Sequence, residues 1–228
     1  MSPLNNPRTR PLLCYVTDRR DLRLSSPSAP YEPLLGLVQS AAGAGVDWIQ
    51  IREKDLSGKE CAALTREALK RAAKSIGGGS QAPRILVNDR LDLALTERAA
   101  GVHLGENSLP VREARRLIAS QASSANFLLG VSCHSLEAAV SAAGDGADYL
   151  FFGPVFSTPS KAAYGAPQGL ARLAEVCRSV SIPVLAIGGV TLDNAASCFS
   201  AGAAGIAAIR LFQQASDLSS IVNALHKV

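Results

Sequence analysis

The chain has 228 residues, of which 47% are hydrophobic and 18% charged, with a formal net charge of +4. This length suits one domain with a sizeable core. There is no Lys/Arg run or aromatic-interleaved basic face, which argues against a nucleic-acid partner, and no apolar run is long enough to span a membrane. Met1–Arg10 lacks the apolar stretch of a secretory signal. The five cysteines, Cys14, Cys61, Cys133, Cys177 and Cys198, are odd in number and never in C-x-x-C spacing, so reduced, mostly buried thiols are expected in a soluble, cytoplasmic protein.

In chain order, residues 1–11 read as a flexible N-terminus and 12–228 as one folded unit. Leu12–Thr17 is a short apolar run, and the Ser/Pro-rich piece over 25–33 reads as a loop. Leu34–Ala44 has helical spacing up to Gly45, Val46–Ile51 gives the second strand, and Ser57–Ser75 a long helix stopped by Gly77–Gly79. Ile85–Val87 is the third strand, followed by a short helix from Arg90 to Glu97. Gly101–Leu104 and Phe127–Val131 are the fourth and fifth strands, with helices over Val111–Ser120 and from Ser135 onward. Tyr149–Phe152, Pro183–Ile187 and Ile206–Ile209 complete the strands. Leu170–Ser179, Asn194–Ala201 and Leu218–His226 supply the last helices. Eight apolar strands alternating with helical patterns predict a single-domain α/β protein, a TIM (β/α)8 barrel near its minimum length. The phrases Gly45-Val-Asp-Trp, Gly146-Ala-Asp-Tyr and Gly202-Ala-Ala-Gly support repeated units. An open doubly wound sheet would need a Gly-rich turn after the first strand, where Thr17-Asp18-Arg19 stands instead.

In a barrel, polar residues just after each strand meet on one rim. Gln50, Arg52 and Lys54 alternate, so a period of two places all three on one face. Two cations side by side call for an anion between them; the alternative is structural pairing with Glu53 and Asp55. Asn88-Asp89 closes the third strand and could serve Mg²⁺ or a simple turn. His103 and His134, after strands four and five, are each more often structural than catalytic. After strand six, Thr158, Ser160 and Lys161 place two hydroxyls and an ammonium in a Pro/Gly-rich loop, either an anion site or an ordinary turn. Gly188-Gly189 and the stretch reaching Arg210 follow strands seven and eight, where barrels commonly bind phosphate.

Gln50-Ile-Arg-Glu-Lys54, Asn88-Asp-Arg90, Gly101-Val-His-Leu-Gly105, Gly130-Val-Ser132, Gly153-Pro through Thr158-Pro-Ser-Lys161 and Ile187-Gly-Gly189 together resemble the thiamine-phosphate synthase family, with thiazole tautomerase as a close relative. The resemblance spans about residues 12–212. It implies coupling of hydroxymethylpyrimidine diphosphate to a thiazole phosphate, or its carboxylate, with release of diphosphate. It further implies that Gln50, Arg52, Lys54 and Asn88 bind the pyrimidine diphosphate and that Asp89 is a Mg²⁺ ligand. Ser132 would touch the pyrimidine; Thr158, Ser160 and Lys161 would lie between the two phosphorylated groups; Gly188 and Ile209 would cradle the thiazole phosphate. Catalysis would rest on Arg52 and Lys161, with His134 replacing them in the tautomerase; the third reading is a relative that binds a thiazole phosphate without turnover. Two positions depart from the pattern. Ser108 stands where a second metal carboxylate is expected, with Glu106 as a substitute only if the loop is rearranged, and Arg210 stands where a phosphate-binding serine is usual. The expected partners are small molecules, neither nucleic acid nor membrane, and the sequence leaves a homo-oligomer open.

Overall fold

The computed structural model describes residues 10–22, 30–75, 81–121, 126–158 and 166–228. Its strands are β1 (Leu12–Val16), β2 (Trp48–Ile51), β3 (Arg84–Asn88), β4 (Gly101–Leu104), β5 (Leu128–Cys133), β6 (Tyr149–Phe152), β7 (Val184–Ile187) and β8 (Gly205–Ala208). All pair in parallel with their sequence neighbours, and β8 returns to β1 with Leu12 opposite Gly205, closing the barrel. A strand buried on both faces needs apolar residues at every position, which is why these segments read as continuous runs. One set points inward, with Leu12, Cys14, Trp48, Leu86, Tyr149, Phe151 and Leu185 among it. The alternate set, including Leu13, Ile49, Ile85, Leu150 and Phe152, packs against the helices. Burying each such side chain contributes about 1.5–3 kcal/mol.

The surrounding helices are α1 (Glu32–Ala44), α2 (Gly58–Lys74), α3 (Leu91–Thr96), α4 (Val111–Ala119), α5 (Leu136–Gly144), α6 (Gly169–Ser179), α7 (Leu192–Ser200), α8 (Arg210–Gln213) and α9 (Leu218–His226). Ser57 opens α2 in a reciprocal cap with Glu60, and Ser135 caps α5 by accepting the Ala138 N–H. The repeated glycines, Gly45, Gly146 and Gly202, lie at φ 91°, 102° and 96°, the left-handed turn that ends a helix before a strand. The aspartates of the phrase have a job too. Asp47 accepts the Leu13 N–H at 2.9 Å and Asp148 the Leu129 N–H at 2.8 Å, so each carboxylate ties the start of its own strand to the preceding one.

Several boundaries move. The β5 strand runs two residues past the expected end, because Ser132 and Cys133 still pair with Phe151 and Phe152. Helix α1 starts at Glu32, ahead of Leu34, with a proline in its first turn, where a missing N–H costs nothing. A 3-10 turn over Arg19–Asp21 and the short α8 were not foreseen. Gly77–Gly79 and residues 25–29 of the predicted loop lie outside the described residues. The cysteines are unpaired, and Cys177 alone among them is not fully buried.

Candidate active site

The carboxyl ends of β2, β3 and β4 are joined by a directed line of hydrogen bonds. Gln50, 2% exposed, donates from Nε2 to Asn88 Oδ1 at 2.9 Å, and Asn88 Nδ2 donates to Asp89 Oδ2 at 3.0 Å. Asp89 Oδ1 accepts the Gly105 N–H at 3.2 Å and the Ser108 hydroxyl. Asp89 adopts φ 59°, a conformation an aspartate tolerates better than most residues. Each amide therefore has a fixed orientation, since its N–H end is committed to the next acceptor.

Beyond β2 the chain leaves the strand and turns. Arg52 is half-buried, Glu53 buried and Lys54 exposed, in the non-strand segment that follows Ile51. Pairing of Arg52 and Lys54 with Glu53 and Asp55 is overturned. Both acids belong to Arg19: Glu53 Oε2 accepts its N–H at 3.1 Å and its guanidinium at 3.2 Å, and Asp55 accepts both terminal nitrogens at 2.6 and 2.8 Å. That fork pulls the Asp55 carboxyl down to about 2. Thr17 completes the brace. Its hydroxyl donates to Glu53 Oε1 at 2.7 Å and accepts the Arg52 N–H at 2.9 Å. Among the described residues, no carboxylate lies within ion-pair distance of Arg52 or Lys54.

At β4 and β5, the buried His103 lies 2.9 Å by Nε2 from Ser132 Oγ. His134 contacts the Gly153 carbonyl through Nδ1, which must carry the hydrogen because a carbonyl only accepts. Its backbone N–H donates to Glu106 Oε1 at 2.8 Å. Glu106 thus braces the segment just before α5 through Oε1, a bond that does not engage Oε2. Ser108, the position of the missing carboxylate, is the group that meets Asp89.

The other side of the rim is built from backbone. Val155 and Phe156 donate to the carbonyls of Ile187 and Gly188 at 2.9 and 3.0 Å, laying the segment after β6 along that after β7. Gly188 has φ 91°, and a Cβ there would fall 2.6 Å from Pro154, so glycine is required for both conformation and space. Ile209 precedes α8 and Arg210 begins it; Arg210 Nη2 donates to Thr158 Oγ1 at 2.8 Å, joining the β6 and β8 ends. Ser160 and Lys161 lie outside the described residues.

Sequence reasoning missed Gln213 and Thr17. Buried Gln213 accepts the Tyr15 hydroxyl at 3.0 Å and donates to the Asp18 carbonyl at 2.8 Å, fastening α8 to the segment after β1. The pairs span 198 and 195 positions, so no local pattern announces them.

The oxygen donors at Asp89 fit a hard cation. Among the described residues no cluster of three His, Cys, Asp or Glu side chains gathers. One carboxylate with a neighbouring hydroxyl suits Mg²⁺, which keeps waters and shares its coordination with substrate phosphates.

Residues 13–212 match the family described as thiamine monophosphate synthase. The chain is 39% identical over 224 residues to the thiamine-phosphate synthase of Roseiflexus castenholzii, covering 98% of this chain and 90% of that one. It is 41% identical over 189 residues to that of Methanoculleus marisnigri, covering 83% and 84%. Thiamine phosphate pyrophosphorylase from Pyrococcus furiosus superposes with a TM-score of 0.76 at 31% identity over 95% of this chain and 94% of that one. With residues 13–212 matched by the family model and four-fifths or more of its length matched by these relatives, the chain belongs to the thiamine monophosphate synthase family.

Proposed function

We propose that this chain is a thiamine-phosphate synthase that joins hydroxymethylpyrimidine diphosphate to a thiazole phosphate. The observation that carries the reading is the pair of cations, Arg52 and Lys54, whose neighbouring carboxylates are taken by Arg19. A diphosphate leaving group supplies the charge they lack.

The C–O bond between the pyrimidine methylene and the diphosphate breaks with its electron pair going to oxygen. The aminopyrimidine ring delocalises the positive charge left on carbon. The thiazole nitrogen then gives its lone pair to that carbon, forming the C–N bond. No proton has to move for this exchange, so the site needs charge neutralisation more than a base. Arg52, Lys54 and Lys161 hold the departing diphosphate, Gln50 and Asn88 orient the pyrimidine part, and Thr158, Ser160, Gly188, Ile209 and Arg210 hold the thiazole phosphate. Asp89 and Ser108 would hold Mg²⁺, which supplies further positive charge beside the diphosphate. Among the described residues no helix is long and apolar enough to cross a membrane. The unpaired thiols suit the reducing cytoplasm.

The test is diphosphate release on mixing both substrates with Mg²⁺. Lys161→Ala should lower the release rate by at least ~100-fold, whereas His134→Ala should spare it. Isomerisation of a thiazole carboxylate phosphate without diphosphate release, lost in His134→Ala, would replace this reading by the tautomerase.

A further inference from the structure

Ser132 is half-buried at the end of β5, and its partner lies inward, in the barrel itself. His103 on β4 is 1% exposed; its Nε2 is 2.9 Å from Ser132 Oγ and its Nδ1 is 3.1 Å from the Tyr149 phenol oxygen on β6. The imidazole is sandwiched by packing, with the Phe151 ring 4.0 Å away and tilted by 32°. Tyr149 in turn packs on Trp48 with centroids 4.6 Å apart. Space for the phenol exists because Gly130 lies between them on β5: a Cβ there would fall 2.0 Å from the tyrosine ring and 2.3 Å from its hydroxyl. Three adjacent strands thus contribute one line of polar atoms inside the barrel.

The direction of that line is set at its inner end. Complete burial pushes the Tyr149 hydroxyl well above its ordinary pKa, so the phenol keeps its hydrogen. A buried O–H without an acceptor costs about 1–3 kcal/mol. Among the described residues the hydrogen-bond partner of this phenol is His103 Nδ1, which accepts only when it carries no hydrogen. The same demand rules out the imidazolium, whose two nitrogens both donate. The ring hydrogen therefore resides on Nε2 and is donated to Ser132 Oγ. With its oxygen accepting from inside, the serine hydroxyl has its own hydrogen left to give outward.

We infer that Tyr149 and His103 are positioning residues that fix the polarity of Ser132, making it a hydrogen-bond donor to a ring nitrogen of the pyrimidine diphosphate. The substrate half of this inference rests on the proposed synthase function, and the proton arrangement stands without it. A serine fixed in this way would favour a ring that presents an acceptor nitrogen over one that presents N–H or C–H there.

Nitrogen NMR of the unaltered full chain decides the proton arrangement. Nε2 of His103 is expected to be protonated and Nδ1 unprotonated; a hydrogen on Nδ1, or on both, overturns the inference. In kinetics, Tyr149→Phe should raise KM for the pyrimidine diphosphate roughly tenfold and leave KM for the thiazole phosphate unchanged. Combined with Ser132→Ala, it should cost no more than Ser132→Ala alone, because both act through one hydroxyl. Independent, multiplying effects, or a parallel rise in both KM values, would show a merely structural tyrosine. If the protein releases no diphosphate at all, the substrate assignment falls and the NMR result still decides the polarity.

Discussion

The two sides of the barrel rim are made of different material. From β2 to β5 the groups are side chains, each held by another: Gln50 by Asn88, Asn88 by Asp89, Asp89 by Ser108, Ser132 by His103. From β6 to β8 the frame is backbone, with the segments after β6 and β7 laced by main-chain hydrogen bonds and Gly188 left-handed between them. The contrast follows from what each side must do under the proposed reaction. A leaving diphosphate gains charge as its bond breaks, so it needs cations and fixed dipoles already aimed at it. A spectator phosphate changes little, and a glycine-rich cradle of N–H groups with one guanidinium suffices to hold it.

Breaking the side-chain half should give the largest effect. Arg52→Ala removes a cation that has no carboxylate partner among the described residues, so the fold loses little while the diphosphate loses a charged contact. Loss of roughly 100-fold in kcat/KM for the pyrimidine diphosphate is expected, with an unchanged melting temperature. A large fall in melting temperature would mean that Arg52 serves the fold.

Gly188→Ala attacks the other half. It forces an alanine to φ 91° and drives its Cβ to 2.6 Å from Pro154, which costs about 1–3 kcal/mol. KM for the thiazole phosphate should rise about tenfold while that for the pyrimidine diphosphate stays within about twofold. If both move together, the rim is one site and the division fails.

A subtler change, Asp89→Asn, keeps the shape and removes the charge. The Mg²⁺ concentration for half-maximal rate should rise about tenfold or more, since a lone carboxylate contributes most of the protein's attraction for the ion. An unchanged requirement would remove Asp89 from the metal site. Replacing Ser108 by Asp supplies a second carboxylate next to it and should lower the requirement, which sharpens the reading of Ser108 as a ligand position.

Legibility differs between the halves in the same way. The strands and the closed eight-fold order are written in local patterns: apolar runs and helix-ending glycines. What pairs with what is not local. Glu53 and Asp55 stand next to two cations in sequence and yet serve Arg19, 34 and 36 positions away. His103 reads as a solitary histidine within the fourth strand, and its link to Tyr149 spans 46 positions. The short α8 escaped notice because one helical turn has too few residues to show a period.

The opposite, amino-terminal end of the barrel offers a control that should touch neither half of the rim. His226 near the end of α9 has its pKa lowered from 6.5, chiefly by burial and next by the Arg10 guanidinium, with Asp47 opposing both. The unfolded chain therefore takes up a proton at this site at a higher pH than the folded protein does. Stability contributed by the neutral ring is complete above pH 6.5 and is lost as pH falls from there toward the depressed folded value. One proton sets the slope at no more than ~1.4 kcal/mol per pH unit. Melting followed from pH 7.5 to 5 should show this decline in the native chain and a flatter profile in His226→Gln, at unchanged KM for both substrates. A decline that survives the substitution would assign the acid sensitivity to other groups. A change in either KM would show that the two ends of the barrel are coupled, which the separation of their hydrogen-bond networks argues against.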